Sequence, residues 1–206
     1  PRLSLIVIGV ASLLLCLATN QTHEESTPML AIRTGDVLLF EGCSFRSELV
    51  RLLQLNRSRF SHVGIASVEH SEIYVIHAHP TQGCIKERLN TLLEAHHATA
   101  VVAYRPAVTT ALRANAARMA QTYVDAQVMF DSKFDSLDDT RLYCSELVFR
   151  AYHDVGVELC VLQDSVVYPD EFIEMSLLHR VSNKQIPNKS VVATADSAAS
   201  SLRSRR

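Results

Sequence analysis

The stretch "RLYCSELVFRAY", residues 141–152, decides the fold because its apolar residues recur at helical spacing. One face carries Leu147, Ala151 and Val155, and Val148 with Tyr152 lies beside it. Gly156 follows where a glycine commonly ends a helix. Upstream, Asp138, Asp139 and Thr140 are candidate N-terminal caps. The pattern predicts a helix buried on one side, with Cys144 in its first turn.

A cysteine in that position has two interpretations. A free thiol has a pKa of about 8.5, and the positive end of a helix together with a histidine lowers it, which makes the thiol a nucleophile. The unpartnered amides of the first turn also suit an oxyanion. Unpaired cysteines are, however, among the most buried residues, so a plain core role for Cys144 stays open.

The histidines that a reactive thiol needs lie upstream. Six of the nine fall between residues 62 and 97: His62, His70, His77, His79, His96 and His97. His62 starts the strand-like run "SHVGIASV", and His77 lies near the end of the next run, "EIYVIHAH". If the polar "EHS" makes a hairpin turn, His62 and His77 lie close together. His70 is then a turn residue, and His96 and His97 fall at an exposed helix end.

Zinc binding is the alternative use of these side chains. His77 and His79, with His62 or Cys84, are possible ligands, but no further histidine or carboxylate falls at an obvious ligand spacing. We therefore expect no metal and no cofactor.

The other segments complete an α+β pattern. Strands are expected at Val37 to Phe40 and in "GCIKERL" and "ATAVVAYRP". Helices are expected in "SFRSELVRLLQL", "LNTLLEAHH" and the alanine-rich "TTALRANAARMAQTYVDAQ". The sequence therefore predicts a small antiparallel sheet with helices packed against it.

Length and charge limit the possible classes of protein. The 206 residues suffice for one buried core, and a net charge of −2 argues against a nucleic-acid partner. We expect the folded domain at 31–181 and a disordered polar tail at 182–206. Cys43, Cys84, Cys144 and Cys160 permit disulfides, but no spacing specifies a pairing.

The N-terminal residues 1–30 have the layout of an export signal or membrane anchor followed by a polar spacer. The apolar run at 3–17 has the length of a signal peptide's hydrophobic region and is short for a membrane span. Cleavage after Ala18, retention as an anchor and lipidation of Cys16 are the three alternatives. An exported protein, periplasmic, extracellular or membrane-anchored, is expected in each case.

Five segments resemble, in this order, the permuted papain-like amidases of the YiiX/YaeF group, relatives of the NlpC-type cell-wall peptidases. They are "GDVLLFEG", "SHVGIAS", "IYVIHAHP", "YCSELVFRAY" and "YPDEF", and they cover about residues 33 to 175. The resemblance implies a circularly permuted papain-like fold, with Cys144 as nucleophile and His62 as general base. Many members have glutamate where this chain has His77, and a histidine there is similar to the lecithin–retinol acyltransferase group.

The resemblance thus implies a cysteine hydrolase that cleaves an amide, isopeptide or acyl bond through Cys144, His62 and His77. Its substrate is expected to be a peptide, a peptidoglycan-like molecule or a lipid acyl compound. Two alternatives remain: a lipid acyltransferase, and a non-catalytic protein of this fold that binds a lipid or a peptide. The resemblance also includes Asp36, as a turn-stabilising residue, and Tyr143, as a pocket wall or hydrogen-bond donor.

Overall fold

The computed structural model describes residues 31–42, 59–95, 98–135, 138, 140–160, 166–174, 176–181 and 186–187. The expected export segment, the helix expected at 44–55, Cys43, His96 and His97 lie outside these residues. Among the helices that are described, none is both long enough and apolar enough to cross a membrane.

One antiparallel sheet forms the centre of the described structure. Its strand order is β4-β3-β2-β1-β5-β8, and β9 also pairs with β5. The strands are β1 (Val37–Glu41), β2 (Phe60–Glu69), β3 (Glu72–His79), β4 (Gly83–Arg88), β5 (Ala100–Pro106), β8 (Leu178–Arg180) and β9 (Ile186–Pro187). Two further short strands, β6 (Met129–Phe130) and β7 (Arg141–Leu142), pair in parallel. The expected strands are confirmed, and the sheet is larger than the sequence predicted because β8 and β9 extend it.

The hairpin between β2 and β3 sets the register of the centre of the sheet. His70 and Ser71 form its two-residue turn with φ values of 49° and 68°, between the paired residues Glu69 and Glu72. Positive φ at both central positions matches the twist of a tight hairpin. The register then brings Ile65 opposite Ile76. The turn expected at His70 is therefore confirmed.

Helices cover both faces of the sheet. They are α1 (Leu89–Ala95), α2 (Thr110–Asp125), α3 (Cys144–His153) and α4 (Glu171–Glu174). Strand alternation gives one cluster of buried side chains on the face covered by α2 and α3, and another on the face covered by α1. Helix α3 lies against β2 and β3, so it carries Cys144 to the middle of the fold.

Helix α3 is buried on more than one side. Of the expected stripe, Leu147, Val148, Ala151 and Tyr152 are buried, whereas Val155 lies beyond the end of the helix and is half-buried. Ser145, Glu146 and Phe149 are buried as well. The prediction of a one-sided helix was wrong, because α3 packs against α2 as well as against β2 and β3.

The N-terminal cap of α3 also differs from the prediction. Asp138 accepts hydrogen bonds from the backbone and hydroxyl of Thr140, at 2.9 and 2.6 Å, and stabilises its own turn instead. Strand β7 intervenes, and Tyr143 becomes the N-cap residue without a side-chain cap bond. The carboxylate of Glu146 accepts from the Tyr143 backbone N–H, which is one half of a capping box.

Asp36 is fully buried where the chain enters β1. Its carboxylate accepts the backbone N–H of Arg33 at 2.8 Å, which supports the turn, as expected. It also accepts two hydrogen bonds from the Arg105 guanidinium on β5, at 2.8 and 2.7 Å. This ion pair ties the beginning of β1 to the end of β5.

We expect Asp36→Asn to lower the free energy of unfolding by about 2–3 kcal/mol, because hydrogen bonds to a charged group are lost in a buried site. Urea unfolding followed by circular dichroism measures the change. Asp138→Asn, at an exposed turn, is the control and should change it by less than about 0.5 kcal/mol. Equal effects of the two substitutions would contradict a structural role for the Asp36–Arg105 pair.

Candidate active site

The sulfur of Cys144 lies at the N-terminus of α3, beside the strand that carries His62. The residue is only 2% exposed. The backbone N–H of Val63, the residue after His62, faces the sulfur closely enough to lower the pKa of the thiol, as do the first-turn N–H groups of Ser145 and Cys144. The Ser145 hydroxyl lies 3.8 Å from it. The helix start and the strand therefore meet at this thiol.

The hydrogen-bond ladder between β2 and β3 explains why the backbone N–H of Val63 is available to the sulfur. The Ala66 N–H donates to the Asp36 carbonyl at 2.8 Å, so even-numbered residues of β2 turn their backbone groups towards β1 and odd-numbered ones towards β3. The β2–β3 pairing ends with Ile65 opposite Ile76. Two residues further on, Val63 directs its N–H to the Cys144 sulfur. The thiol thus lies at the open end of the seam between two strands.

His62 and His77 are brought together, as the hairpin predicted. His62 Nε2 lies 2.9 Å from His77 Nδ1, and the two rings meet edge to face with centroids 4.9 Å apart. Both side chains are buried, at 2% and 0% exposure. The His62 ring also lies 5.9 Å from the Phe40 ring, on the opposite side of β2 from the Val63 side chain. His62 thus projects from the face of β2 opposite the one that carries the Val63 side chain, one residue away from the N–H that faces the sulfur.

Gly64 makes room for this pair. A Cβ at position 64 would lie 2.6 Å from Val75 Cγ1, 2.9 Å from the Ile76 carbonyl oxygen and 3.1 Å from His77 Cβ. All three atoms belong to the neighbouring strand β3. A glycine inside a strand commonly marks a place where another group approaches closely. The group that approaches is the strand that carries His77.

Glu87 is a member of the site that the sequence analysis missed. Its Oε1 lies 2.8 Å from His77 Nε2, so His62, His77 and Glu87 form a continuous hydrogen-bonded row. Strand β4 pairs Ile85 with His77 and Glu87 with Val75, which places Glu87 on the same face as His77. Pairing β3 with β4 residue by residue from their turn would have predicted this position for Glu87, because "GCIKERL" was already expected to be a strand.

Burial shifts the pKa of the Cys144 thiol in the direction opposite to the one expected. It raises the pKa of Cys144 to about 11, although the hydroxyl of Ser145 and the N–H groups of Val63, Ser145 and Cys144 act in the lowering direction. The sequence predicted a lowered pKa from the helix terminus. That prediction was wrong because the sulfur is removed from water, and desolvation outweighs these N–H groups. At neutral pH the resting site holds a neutral thiol.

Two segments pack around the residue that precedes the nucleophile candidate. The Phe134 ring lies 5.3 Å from the Tyr143 ring, and the Val167 N–H donates to Tyr143 Oη at 2.8 Å. Tyr143 is fully buried, and its hydroxyl accepts a hydrogen bond in the core. Both segments anchor the start of α3.

The remaining candidates do not join this cluster. The Nδ1 of His79 accepts from the backbone of Thr81 and Gln82, at 3.2 and 3.3 Å, and stabilises the turn after β3. Cys84, Cys144 and Cys160 are free thiols. Within the part of the chain that the structure describes, no group of three or more His, Cys, Asp or Glu side chains is placed to hold a metal ion.

The order of the site in the chain, histidine before cysteine, matches a known family. A family model described as "Permuted papain-like amidase enzyme, YaeF/YiiX, C92 family" matches residues 31–193. The chain belongs to this family. The matched segment includes every strand and helix described above, so the α+β sheet and its helices form a circularly permuted papain-like fold, and the protein is a member of an amidase family.

A solved structure supports the fold. The crystal structure of the metalloprotein YiiX from Escherichia coli O157:H7 is similar to this permuted papain-like chain with a TM-score of 0.59 and 21% sequence identity. The similarity covers 74% of this chain and 97% of that one. A comparison with curated protein sequences finds no significant match.

We expect alkylation of Cys144 by iodoacetamide in the folded protein to be slow at pH 7. Because the folded pKa lies well above neutrality, the thiolate fraction should rise about tenfold per pH unit up to about pH 10. Site-resolved mass spectrometry measures the rate at each pH. The same cysteine in urea should follow a pKa of about 8.5 and is the control. A folded-state rate that is already constant below pH 8 would contradict the raised pKa.

Proposed function

We propose that this protein is a cysteine hydrolase that cleaves an amide, isopeptide or ester bond, with Cys144 as nucleophile, His62 as general base and His77 as the residue that orients His62. The observation that carries the proposal is the buried His62–His77 hydrogen bond of 2.9 Å at the strand edge where the Val63 N–H contacts the Cys144 sulfur. Membership of the permuted papain-like amidases supports the same chemistry.

Attack begins from a neutral thiol, because burial raises the pKa of Cys144 to about 11. His62 Nε2 is engaged with His77, so Nδ1 is the nitrogen that takes the proton. As the sulfur forms its bond to the substrate carbonyl carbon, the S–H proton moves to His62 and the carbonyl oxygen gains a negative charge. The N–H groups at the start of α3 stabilise that oxyanion.

The tetrahedral intermediate then releases its leaving group. The bond from the carbonyl carbon to the amine nitrogen or alcohol oxygen breaks, and His62 returns the proton to that atom. This leaves a thioester on Cys144. Water attacks the thioester and gives its proton to His62, and the carboxylic acid leaves as the thiol is restored. Each histidine ends in its starting state, so the cycle is balanced.

The identity of the acceptor separates this proposal from a second candidate. A histidine at position 77 is a feature shared with the lecithin–retinol acyltransferase group, and it favours a lipid acyltransferase as the alternative. There the thioester passes its acyl group to a lipid hydroxyl or amine instead of to water. An exported protein with a peptide, peptidoglycan-like or lipid acyl substrate fits the apolar run at residues 3–17.

We expect the full chain to become acylated on Cys144 when it is mixed with p-nitrophenyl acetate, a small activated acyl donor. Cys144→Ser should abolish formation of the thioester, and His62→Ala should slow acylation by about 10²-fold or more, because general-base assistance is lost. Nitrophenol release measures the rate, and peptide mass spectrometry locates the acetyl group.

His79→Ala is the matched control, since His79 lies on the same strand as His77 but stabilises a turn. It should leave acylation of Cys144 unchanged. Acetylation elsewhere in the chain, or an unchanged rate in His62→Ala, would support the non-catalytic alternative. Acetyl transfer to an added lysophospholipid, in place of release as acetate, would support the acyltransferase.

A further inference from the structure

Glu87 ends the hydrogen-bonded row that starts at His62, and it constrains where the protons of that row lie. Its Oε1 contacts His77 Nε2 at 2.8 Å. The His77 side chain is completely buried, whereas that of Glu87 is 17% exposed. A partly exposed carboxylate on β4 is therefore hydrogen-bonded to a histidine that is fully buried.

The chemistry of the three groups fixes the direction of each hydrogen bond. An ionised carboxylate only accepts, so the hydrogen shared with Glu87 belongs to His77 Nε2. In a neutral His77, Nδ1 then carries a lone pair and accepts from His62 Nε2–H across the 2.9 Å contact. A neutral His62 with its hydrogen on Nε2 has its lone pair on Nδ1. That nitrogen is the one that the proposed reaction uses as base.

We propose that Glu87 is a positioning residue that sets the tautomers of His77 and His62, so that His62 keeps an unprotonated Nδ1 for the Cys144 proton. The proposal rests on the proposed function. Glu87 also supplies negative charge to the row. When His62 becomes a cation during attack, it donates through Nε2 to His77, which in turn donates to Glu87. The carboxylate thereby stabilises the charge that His77, a neutral residue, stabilises less well.

The other ionisable groups near the row lie on β4 and on the elements packed around it. On β4, Lys86 and Arg88 are ion-paired with Glu69 and Glu72. The groups on the other packed elements are His79 on β3, Glu94 on α1, Arg113, Arg118 and Asp125 on α2, Arg141 on β7, and Cys144, Glu146, Arg150 and His153 on α3. Of these, the His79 ring lies 6.4 Å from the His77 ring. The carboxylate of Glu87 contacts the histidine row directly.

The test is Glu87→Gln in the full chain, because the amide has the same shape but both donates and accepts. It no longer dictates which nitrogen of His77 carries the hydrogen. Nitrogen-15 NMR of histidine-labelled protein reads the tautomers. In the parent protein we expect both His62 and His77 to carry hydrogen on Nε2 at pH 8, and in Glu87→Gln we expect a mixture of tautomers.

Acylation of Cys144 by p-nitrophenyl acetate gives the second measurement. We expect Glu87→Gln to lower the rate about 10-fold or more, as for other residues that orient a ligating or catalytic histidine. The acid limb of its pH–rate profile should also move to lower pH by about half a unit, because the carboxylate no longer favours the protonated histidines. Glu72→Gln, which breaks the ion pair with Arg88 on the same sheet, should change neither.

The outcomes separate this inference from the function on which it rests. Unchanged tautomers and an unchanged pH profile in Glu87→Gln, with His62→Ala still inactive, would overturn the role of Glu87 and leave the cysteine hydrolase standing. A His62→Ala variant that acylates normally would overturn the proposed function itself. If Glu87 only fills a structural place, the isosteric amide should move neither the tautomers nor the acid limb.

Discussion

The end of the pairing between β2 and β3 is the constraint on which the candidate site depends. A ladder that continued past Ile65 would direct the Val63 N–H to β3 and close the seam. Because the pairing stops there, the Val63 N–H faces the Cys144 sulfur instead and lowers the pKa of the thiol. Near that edge lie the N-terminus of α3, His62, His77 and Gly64. The candidate site therefore lies where the pairing of the sheet is interrupted.

The position of the thiol has a chemical consequence. A sulfur that is 2% exposed gains packing contacts but loses the hydration that a thiolate needs. Burial therefore opposes spontaneous ionisation, and it favours a mechanism in which proton transfer to His62 accompanies attack. The first-turn amides that contact the sulfur in the resting protein are the groups available to the oxyanion. One set of donors thus serves two stages of the proposed reaction.

The histidine row shows how the sheet supplies charge to a buried residue. His77 is fully buried and, when neutral, cannot by itself supply negative charge. The neighbouring strand β4 places Glu87 2.8 Å behind it. A carboxylate therefore lies one residue further from the thiol, connected through two imidazoles. The partly exposed charge of Glu87 thus acts through His77 on the orientation of His62 at the buried end of the row.

Local patterns in the sequence determined the elements and the pairing of the histidines. Apolar alternation placed β2 and β3, the polar turn at His70 paired them, and this pairing brought His62 to His77. Helical spacing placed Cys144 in the first turn of α3. These features depend on residues close together in the chain, so periodicity and turn chemistry suffice to predict them. The resemblance to permuted papain-like amidases then gave the family and the order of the site.

Tertiary packing decided what local pattern cannot express. The burial of Glu146 and Phe149 and the raised pKa of Cys144 follow from the packing of α3 against α2, β2 and β3, which are distant in sequence. The contact between Cys144 and Val63 joins residues about eighty positions apart and depends on where a strand pairing ends. Desolvation is a property of the whole environment of an atom, so the ionisation of this thiol was set only when the fold enclosed it.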